Sequence, residues 1–150
     1  MMSFQDKLHT KLKEAMRQKN TVALESLRAI KSAMLLLQTQ SGAKENLDDT
    51  AITKLLQKLV KQRKESASIF RQQGRDDLAE PELAQIEVIR QFLPEQLSES
   101  AVEKAIDGII ETVGATTMKD MGKVMGMANK QLAGKADGRL IAEIVKKRLN

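Results

Sequence analysis

Asp49–Arg75, DTAITKLLQKLVKQRKESASIFRQQGR, carries two distinct faces at helical spacing, and the segments on either side of it are expected to pack against it. Its apolar residues recur every three or four positions and predict a buried stripe made of Ile52, Leu55, Leu56, Leu59, Ala67 and Phe70. Six of its basic residues point elsewhere, and they are Lys54, Lys58, Lys61, Lys64, Arg71 and Arg75. At about 1.5 Å per residue, the row from Lys61 to Arg75 is roughly 20 Å long. The stretch predicts a helix with a core face and a basic face.

The segments before this helix predict its first partners. Ser3 is a good cap for a first helix that ends near Lys19, and Asn20 caps a second helix through Thr39, so the two form an αα-hairpin. Ser41–Asn46 has the composition of a surface loop. Asp48 then caps the central helix.

The segment after the central helix contains both prolines. Gly74 is expected to end the central helix. Proline is favoured at the first position of a helix, so we predict that the main body of the fourth helix extends from Pro81 to Leu93. Pro94 breaks the helical pattern, because the residue before a proline is pushed out of the α region. We therefore expect a four-helix lobe over residues 1–97 and a three-helix lobe over residues 98–150.

The second lobe has capping residues at regular intervals and no alternating β pattern. Gly114 ends the fifth helix, and the sixth extends to about Leu132. Gly122 and Gly126 form a smooth strip on the sixth helix, which indicates either a close helix contact or the close approach of a ligand. The predicted N-caps are Ser98 or Ser100, Thr116 or Thr117, and Asp137. The predicted fold class is all-α in two helical lobes.

The composition excludes several classes of protein. The 150 residues contain no cysteine, which removes disulfides and thiol chemistry. No apolar run approaches the ~18 residues of a membrane span, and the first residues do not resemble a signal peptide, so we expect a cytoplasmic protein and no membrane partner. The net charge of +5 permits a polyanion partner. With three phenylalanines as the sole aromatics, nucleic-acid contacts are expected at backbone and shape rather than stacked bases.

The sequence lacks the combinations of residues that common catalytic sites require. The single histidine, His9, lies in a lysine-rich amphipathic segment and has no accompanying nucleophile motif. The phosphate-loop, dinucleotide-binding and zinc-protease motifs are absent. Asp76 and Asp77 suit a helix start, where the helix dipole favours negative charge without a metal. We expect no catalytic residues, no metal and no cofactor.

Two basic features remain open to a functional or a structural interpretation. Gly134–Gly138 is a turn whose Asp137 caps the next helix, yet a helix start beside Lys135 and Arg139 also suits an anion. The basic row of the central helix is either a hydrated surface or a binding surface. Arg63 falls on the apolar side and must extend to solvent or meet a partner.

Five blocks in order along the chain resemble the YqeY family, which is similar to the carboxy-terminal region of the GatB subunit of aspartyl/glutamyl-tRNA amidotransferase. The blocks are LVKQRKES at 59–66, GRDDLA at 74–79, FLPEQL at 92–97, MKDMGKVMG at 118–126 and GKADG at 134–138. The resemblance implies a helical protein of two lobes with kinship to carbon–nitrogen ligases that use glutamine as amido donor. In that amidotransferase other parts perform catalysis, and the helical tail contacts tRNA.

The resemblance implies a noncatalytic accessory protein that binds tRNA or other structured RNA. If this chain contacts RNA as the helical tail of the amidotransferase does, the resemblance implies that the RNA-facing residues are Lys123, Lys130, Gly134, Lys135, Ala136 and Arg139. A second basic surface comprises Lys58, Lys61, Arg63, Lys64, Arg71 and Arg75.

Three alternatives stay open. The chain could dock on a larger enzyme such as a tRNA-modifying enzyme or a synthetase, or it could complete an amidotransferase site in trans. A helix-turn-helix DNA reader built from the last two helices would need a shorter turn than Ala133–Gly138, so we expect no DNA partner.

Overall fold

The structure is a computed structural model that describes residues 3–41 and 47–150. Within these ranges the chain forms seven α-helices, one 3₁₀ turn and no β-strand, which confirms the all-helical class. The predicted surface loop Ser41–Asn46 is wrong at Ser41, which is the last residue of α2, and its residues 42–46 lie outside the described residues. The elements are α1 Phe4–Gln18, α2 Thr21–Ser41, α3 Asp49–Gln72, α4 Asp76–Arg90, α5 Glu99–Val113, a 3₁₀ turn Met118–Asp120, α6 Met121–Gln131 and α7 Gly138–Leu149.

Side-chain caps start the helices where the sequence places them. The Ser3 hydroxyl accepts from the Asp6 N–H at 3.1 Å, and the Asp6 carboxylate accepts from the Ser3 N–H at 3.2 Å. These reciprocal bonds satisfy donors that a helix start otherwise leaves unpaired. The predicted caps Asn20, Asp48, Ser98, Thr117 and Asp137 also accept from backbone N–H groups.

The predicted start of the fourth helix is wrong. The helix begins at Asp76, contains Pro81 as its sixth residue and ends at Arg90. A proline at this position removes only one intrahelical hydrogen bond. The turn before it is held by the carbonyl of Arg75, which accepts from two N–H groups at 3.1 Å, and by the fully buried Ala79. Packing and capping therefore outweigh the cost of the proline.

The chain divides into two compact units, the first ending at Leu93 and the second spanning Pro94–Asn150. In the first unit, α2 packs against α1, α3 and α4, and α3 packs along α4. Its core contains Ile52, Leu55, Leu56 and Leu59 of the apolar face predicted for α3, together with Leu27, Ile30, Ile86 and Ile89. The Phe4 and Phe92 rings meet edge to face, with centroids 5.5 Å apart.

In the second unit, α5, α6 and α7 pack against one another around a separate core. The segment that follows Pro94 belongs to this unit, because the Leu97 N–H donates to the Lys135 carbonyl at 2.9 Å. Leu97 also packs against the core that contains Val102, Val124 and Val145. The bond from Leu97 to Lys135 anchors the turn between α6 and α7, where Gly134, Lys135 and Ala136 of the predicted RNA-facing residues lie.

Candidate nucleic-acid interface

Helix α6 presents two predicted contact residues beside a strip without side chains. Lys123 and Lys130 are exposed and seven residues apart, which separates them by about 10 Å along the helix. Gly122 and Gly126 are exposed beside them, and a Cβ at either glycine would meet no atom within 4 Å. A close helix contact in this chain is therefore the wrong explanation for the two glycines. The main chain of α6 is open to a ligand on this side.

The turn after α6 holds its main chain by long-range hydrogen bonds. Gly134 has φ +75°, a left-handed conformation that favours glycine. Its carbonyl accepts a hydrogen bond from the Gln96 side-chain amide at 2.6 Å, beside the bond from Leu97 to Lys135. The carbonyls of the turn thus face the protein, whereas the Lys135 side chain is exposed.

The start of α7 is capped by the chain itself. The Asp137 carboxylate accepts a hydrogen bond from the Arg139 N–H at 3.1 Å. One of the backbone donors that suggested an anion site, the Arg139 N–H, is therefore already used, and the side chains of Lys135 and Arg139 remain beside this helix start. The remaining predicted residue, Ala136, is 8% exposed and packs in the core, so its methyl group is withdrawn from the surface.

The four cations of this surface are all exposed. The salt bridges seen among the described residues do not include Lys123, Lys130, Lys135 or Arg139, although the charge of Lys123 acts on the Asp120 carboxylate. Arg148 on α7 is different, because it pairs with Asp107 at 2.8 Å and Glu103 at 3.8 Å and so ties α7 to α5. We name the set Lys123, Lys130, Lys135 and Arg139 the α6–α7 cation surface.

Asp120 fixes the start of α6. Its carboxylate accepts from the N–H of Thr116 at 3.0 Å and from that of Thr117 at 3.4 Å. These backbone N–H groups, with a smaller contribution from the charge of Lys123, hold the pKa of Asp120 below its ordinary value. The carboxylate thus stays ionised and sets the position from which Lys123 emerges.

Part of the predicted row on α3 lines a depression. Lys58, Lys64 and Arg71 are exposed, and Lys61 is half-buried. Lys64, Ser68 and Arg71 line a volume of about 390 Å³ whose apolar lining includes Ala67 and Leu83. Two cations about 10 Å apart along the helix therefore border a groove beside α4.

Two residues of the predicted second surface serve the fold instead. Arg63 is half-buried and donates to the Gln85 side-chain oxygen at 2.9 Å and to the Leu59 carbonyl at 3.1 Å. Arg75 forms two hydrogen bonds with Asp77, at 3.0 and 2.9 Å, and this contact lowers the pKa of the Asp77 carboxyl. Both arginines thus have partners within the first unit, and their place in a second basic surface stays a prediction.

Gln96 and Gln85 were missed by reasoning from the sequence. Each binds a residue far along the chain, Gly134 in one case and Arg63 in the other. Local periodicity carries no signal for such pairs. The only indication was the break at Pro94, which places Gln96 in a segment whose backbone is not helical.

A membrane-spanning helix and a metal-binding cluster are both absent from the described ranges. No helix there is both long and apolar enough to cross a membrane. No group of three histidine, cysteine, aspartate or glutamate side chains in these ranges is arranged to hold a metal ion.

Known proteins resemble this chain over most of its length. It is 32% identical to "Altered inheritance of mitochondria protein 41, mitochondrial" of Pyrenophora tritici-repentis, over 87% of this chain and 71% of that protein. The protein of the same description in Clavispora lusitaniae is 33% identical, over 84% and 74%. A glutamyl-tRNA(Gln) amidotransferase subunit of Thermococcus gammatolerans is 30% identical, over 79% of this chain and 20% of that protein.

The similarity to the Thermococcus protein confirms the predicted relationship to part of a tRNA amidotransferase. The family model described as "Yqey-like protein" matches residues 5–149, which is nearly the whole chain. The five sequence blocks from Leu59 to Gly138 all lie inside the matched range. The chain therefore belongs to the YqeY family.

Proposed function

We propose that this chain is a noncatalytic accessory protein that binds tRNA or another structured RNA through the α6–α7 cation surface. The observation that carries the proposal is the set of four exposed cations on α6 and around the start of α7, two of which lie on α6 with the open strip of Gly122 and Gly126. A phosphate backbone supplies the complementary charge. The family relationship to an enzyme named for tRNA favours RNA among the possible polyanions.

The chemistry of the surface favours contact with backbone and shape. Lysine and arginine side chains bind phosphate oxygens in any sequence context. The chain has no tyrosine or tryptophan on which bases could stack, so sequence readout of unpaired bases is not expected. The open strip on α6 lets a sugar–phosphate backbone approach the helix closely between Lys123 and Lys130.

The groove beside α3 supplies a second, supporting surface. Lys64 and Arg71 border it, and Lys58 extends the row towards the start of the helix. Arg63 and Arg75 are omitted, because each already has a partner within the first unit. We further propose that helices α1–α4 and α5–α7 act as two functional lobes, since each set surrounds its own core.

Binding of purified chain to unfractionated tRNA tests the proposal. The informative variant changes Lys135 and Arg139 to glutamate, and the matched control changes Lys104 and Lys147, two exposed lysines elsewhere in the second unit. We expect the first pair to abolish binding and the control to retain most of it. Undetectable binding of the unmodified chain at low salt would reject the proposal.

The similarity to the Thermococcus amidotransferase protein favours one second candidate, a component that completes a glutamine-dependent amidotransferase in trans. That candidate predicts amidation of misacylated tRNA that depends on this chain when the other amidotransferase chains are present. Amidation that proceeds equally without the chain would reject it. The predicted cytoplasmic location stays a prediction, and the word mitochondrial in the names of the fungal relatives belongs to those proteins.

A further inference from the structure

The amino-terminal helix leaves one side of the first unit open. Among the described helices, α1 packs against α2 only, and its remaining ring contact joins Phe4 to Phe92. Together α1 and α2 enclose a groove of about 470 Å³. This volume falls within the range of ligand-binding clefts, about 300–1,000 Å³. None of the residues that line the groove belongs to the α6–α7 cation surface.

The floor of the groove is apolar and extends beyond the cavity. Leu8, Leu12, Met34 and Leu35 line it, and Leu35 is 55% exposed. Met16, which is 59% exposed, lies four residues after Leu12 and therefore continues the same flank of α1. From Gln5 to Met16 this flank is about 16 Å long, or three helical turns.

Lysines lie at both edges of the groove. Lys31 lines it on α2, and the exposed Lys13 lies on α1 one turn after the lining residue His9. Asp6 is the acidic residue among the lining side chains, and its carboxylate already accepts from the Ser3 N–H at 3.2 Å. An occupant would thus meet an apolar floor between positively charged edges.

We propose that the α1–α2 groove binds an acidic amphipathic helix of a partner protein. An open groove between two helices fits apolar anchors at helical spacing, since Leu35 and Met16 are exposed and Leu12 is half-buried along three turns. The lysines on both edges complement acidic residues that flank those anchors. A small amphiphile would leave much of this length uncovered, and RNA would leave the leucines and Met16 without an apolar partner.

A designed peptide of about 18 residues tests the proposal directly, since it is long enough to hold a helix when bound. Leucines occupy positions i, i+4, i+7 and i+11, and glutamates occupy both flanks. Fluorescence anisotropy of the labelled peptide is followed while the full-length chain is added. We expect saturable binding that weakens by about tenfold or more in Leu35→Ser and in Lys31→Glu.

Leu36→Ser is the matched control, because Leu36 is 60% exposed and turned about 100° away around α2. It should leave peptide affinity within about twofold of the unmodified chain. Equal weakening by Leu36→Ser, equal binding of a peptide with serine in place of the leucines, or no binding of the acidic peptide would each overturn the proposal. Unchanged thermal midpoints exclude unfolding as the cause of a loss.

Competition distinguishes the other occupants. Displacement of the peptide by decanoate, lost in Leu35→Ser, would assign the groove to a small amphiphilic anion and overturn the helix proposal. Displacement of the peptide by tRNA that persists when Lys135 and Arg139 are changed to glutamate would assign the groove to RNA. That result would also overturn the helix proposal. Failure of the peptide leaves the tRNA measurements on the second unit unaffected, so the two proposals fail separately.

Discussion

Arg63 on α3 donates a hydrogen bond from Nε to Oε1 of Gln85 on α4 at 2.9 Å. Gln85 in turn donates to a carboxylate oxygen of Glu25 on α2 at 3.4 Å. The arginine that falls on the apolar side of α3 therefore joins three helices of the first unit. Its charge is used inside the fold, which removes it from the residues expected to contact RNA.

Arg63→Ala should lower the free energy of unfolding by about 1–3 kcal/mol, the usual range for removing a charge-assisted hydrogen bond that leaves its partner half-buried. It should leave tRNA affinity unchanged. Chemical denaturation and tRNA binding of the same preparation check both points. Lys58→Ala, an exposed change on the same helix, should alter stability by no more than about 0.5 kcal/mol. Weakened tRNA binding with full stability in Arg63→Ala would contradict this role.

Alanine at Gly122 and Gly126 should fit and should stabilise the protein. A Cβ at either position meets no atom within 4 Å, and alanine forms helix better than glycine by about 0.8–1 kcal/mol per position. Thermal and denaturant unfolding of the double alanine variant measure the gain. A loss of stability would instead support a close helix contact as the reason for glycine at these two positions.

Larger side chains at the same glycines should obstruct RNA. Gly126→Leu adds bulk to the open strip of α6 without a clash inside the protein, so we expect tRNA affinity to fall while the protein stays folded. Titration of tRNA against this variant, with circular dichroism as the check on folding, gives the answer. Affinity equal to that of the unmodified chain would show that RNA does not approach this strip.

The Asp137 carboxylate should stabilise the folded protein and weaken its binding to tRNA. Asp137→Ala removes the cap of α7 and should cost about 1 kcal/mol of stability. Asp137→Asn keeps a capping oxygen and removes a negative charge two residues from Lys135 and Arg139, so tRNA affinity should rise by about two- to fivefold. Unfolding and binding curves of both variants are needed. Weaker binding by Asp137→Asn would show that the carboxylate itself helps to bind.

Asp120 should make stability depend on pH in the acid range. Its pKa is lower in the folded chain than in the unfolded chain, so its contribution to stability is present above the unfolded value of about 3.9 and is lost as the pH falls through the folded value. Asp120→Asn should therefore show a flatter fall in thermal midpoint on acidification below about pH 4. Identical slopes in the two proteins would contradict the depressed pKa.

Local features of the fold were predictable, because they depend on residues close in sequence. The caps at Ser3 and Asp48 and the stop at Gly74 follow from short-range hydrogen bonding and glycine geometry. Pro81 misled the prediction because its local preference competes with burial of Ala79 and the turn at Arg75, which only the packed structure reveals.

The candidate site was only partly predictable, because charge can be read from the sequence and partners cannot. Lys123 and Lys130 are exposed, as a basic surface requires, whereas Ala136 is in the core. Whether an arginine faces solvent depends on residues distant in sequence, as the contact between Arg63 and Gln85 illustrates. The glycines of α6 likewise needed the structure to show which side of the helix is open.

The salt dependence of tRNA affinity tests the central claim most directly. With about four to six phosphates neutralised, the logarithm of the association constant should fall with the logarithm of salt concentration at a slope of about −3 to −5. Changing Lys135 and Arg139 to glutamine should reduce the steepness by about two, whereas changing Lys104 and Lys147 should not. A slope near zero, or equal slopes for both double variants, would contradict binding through the α6–α7 cation surface.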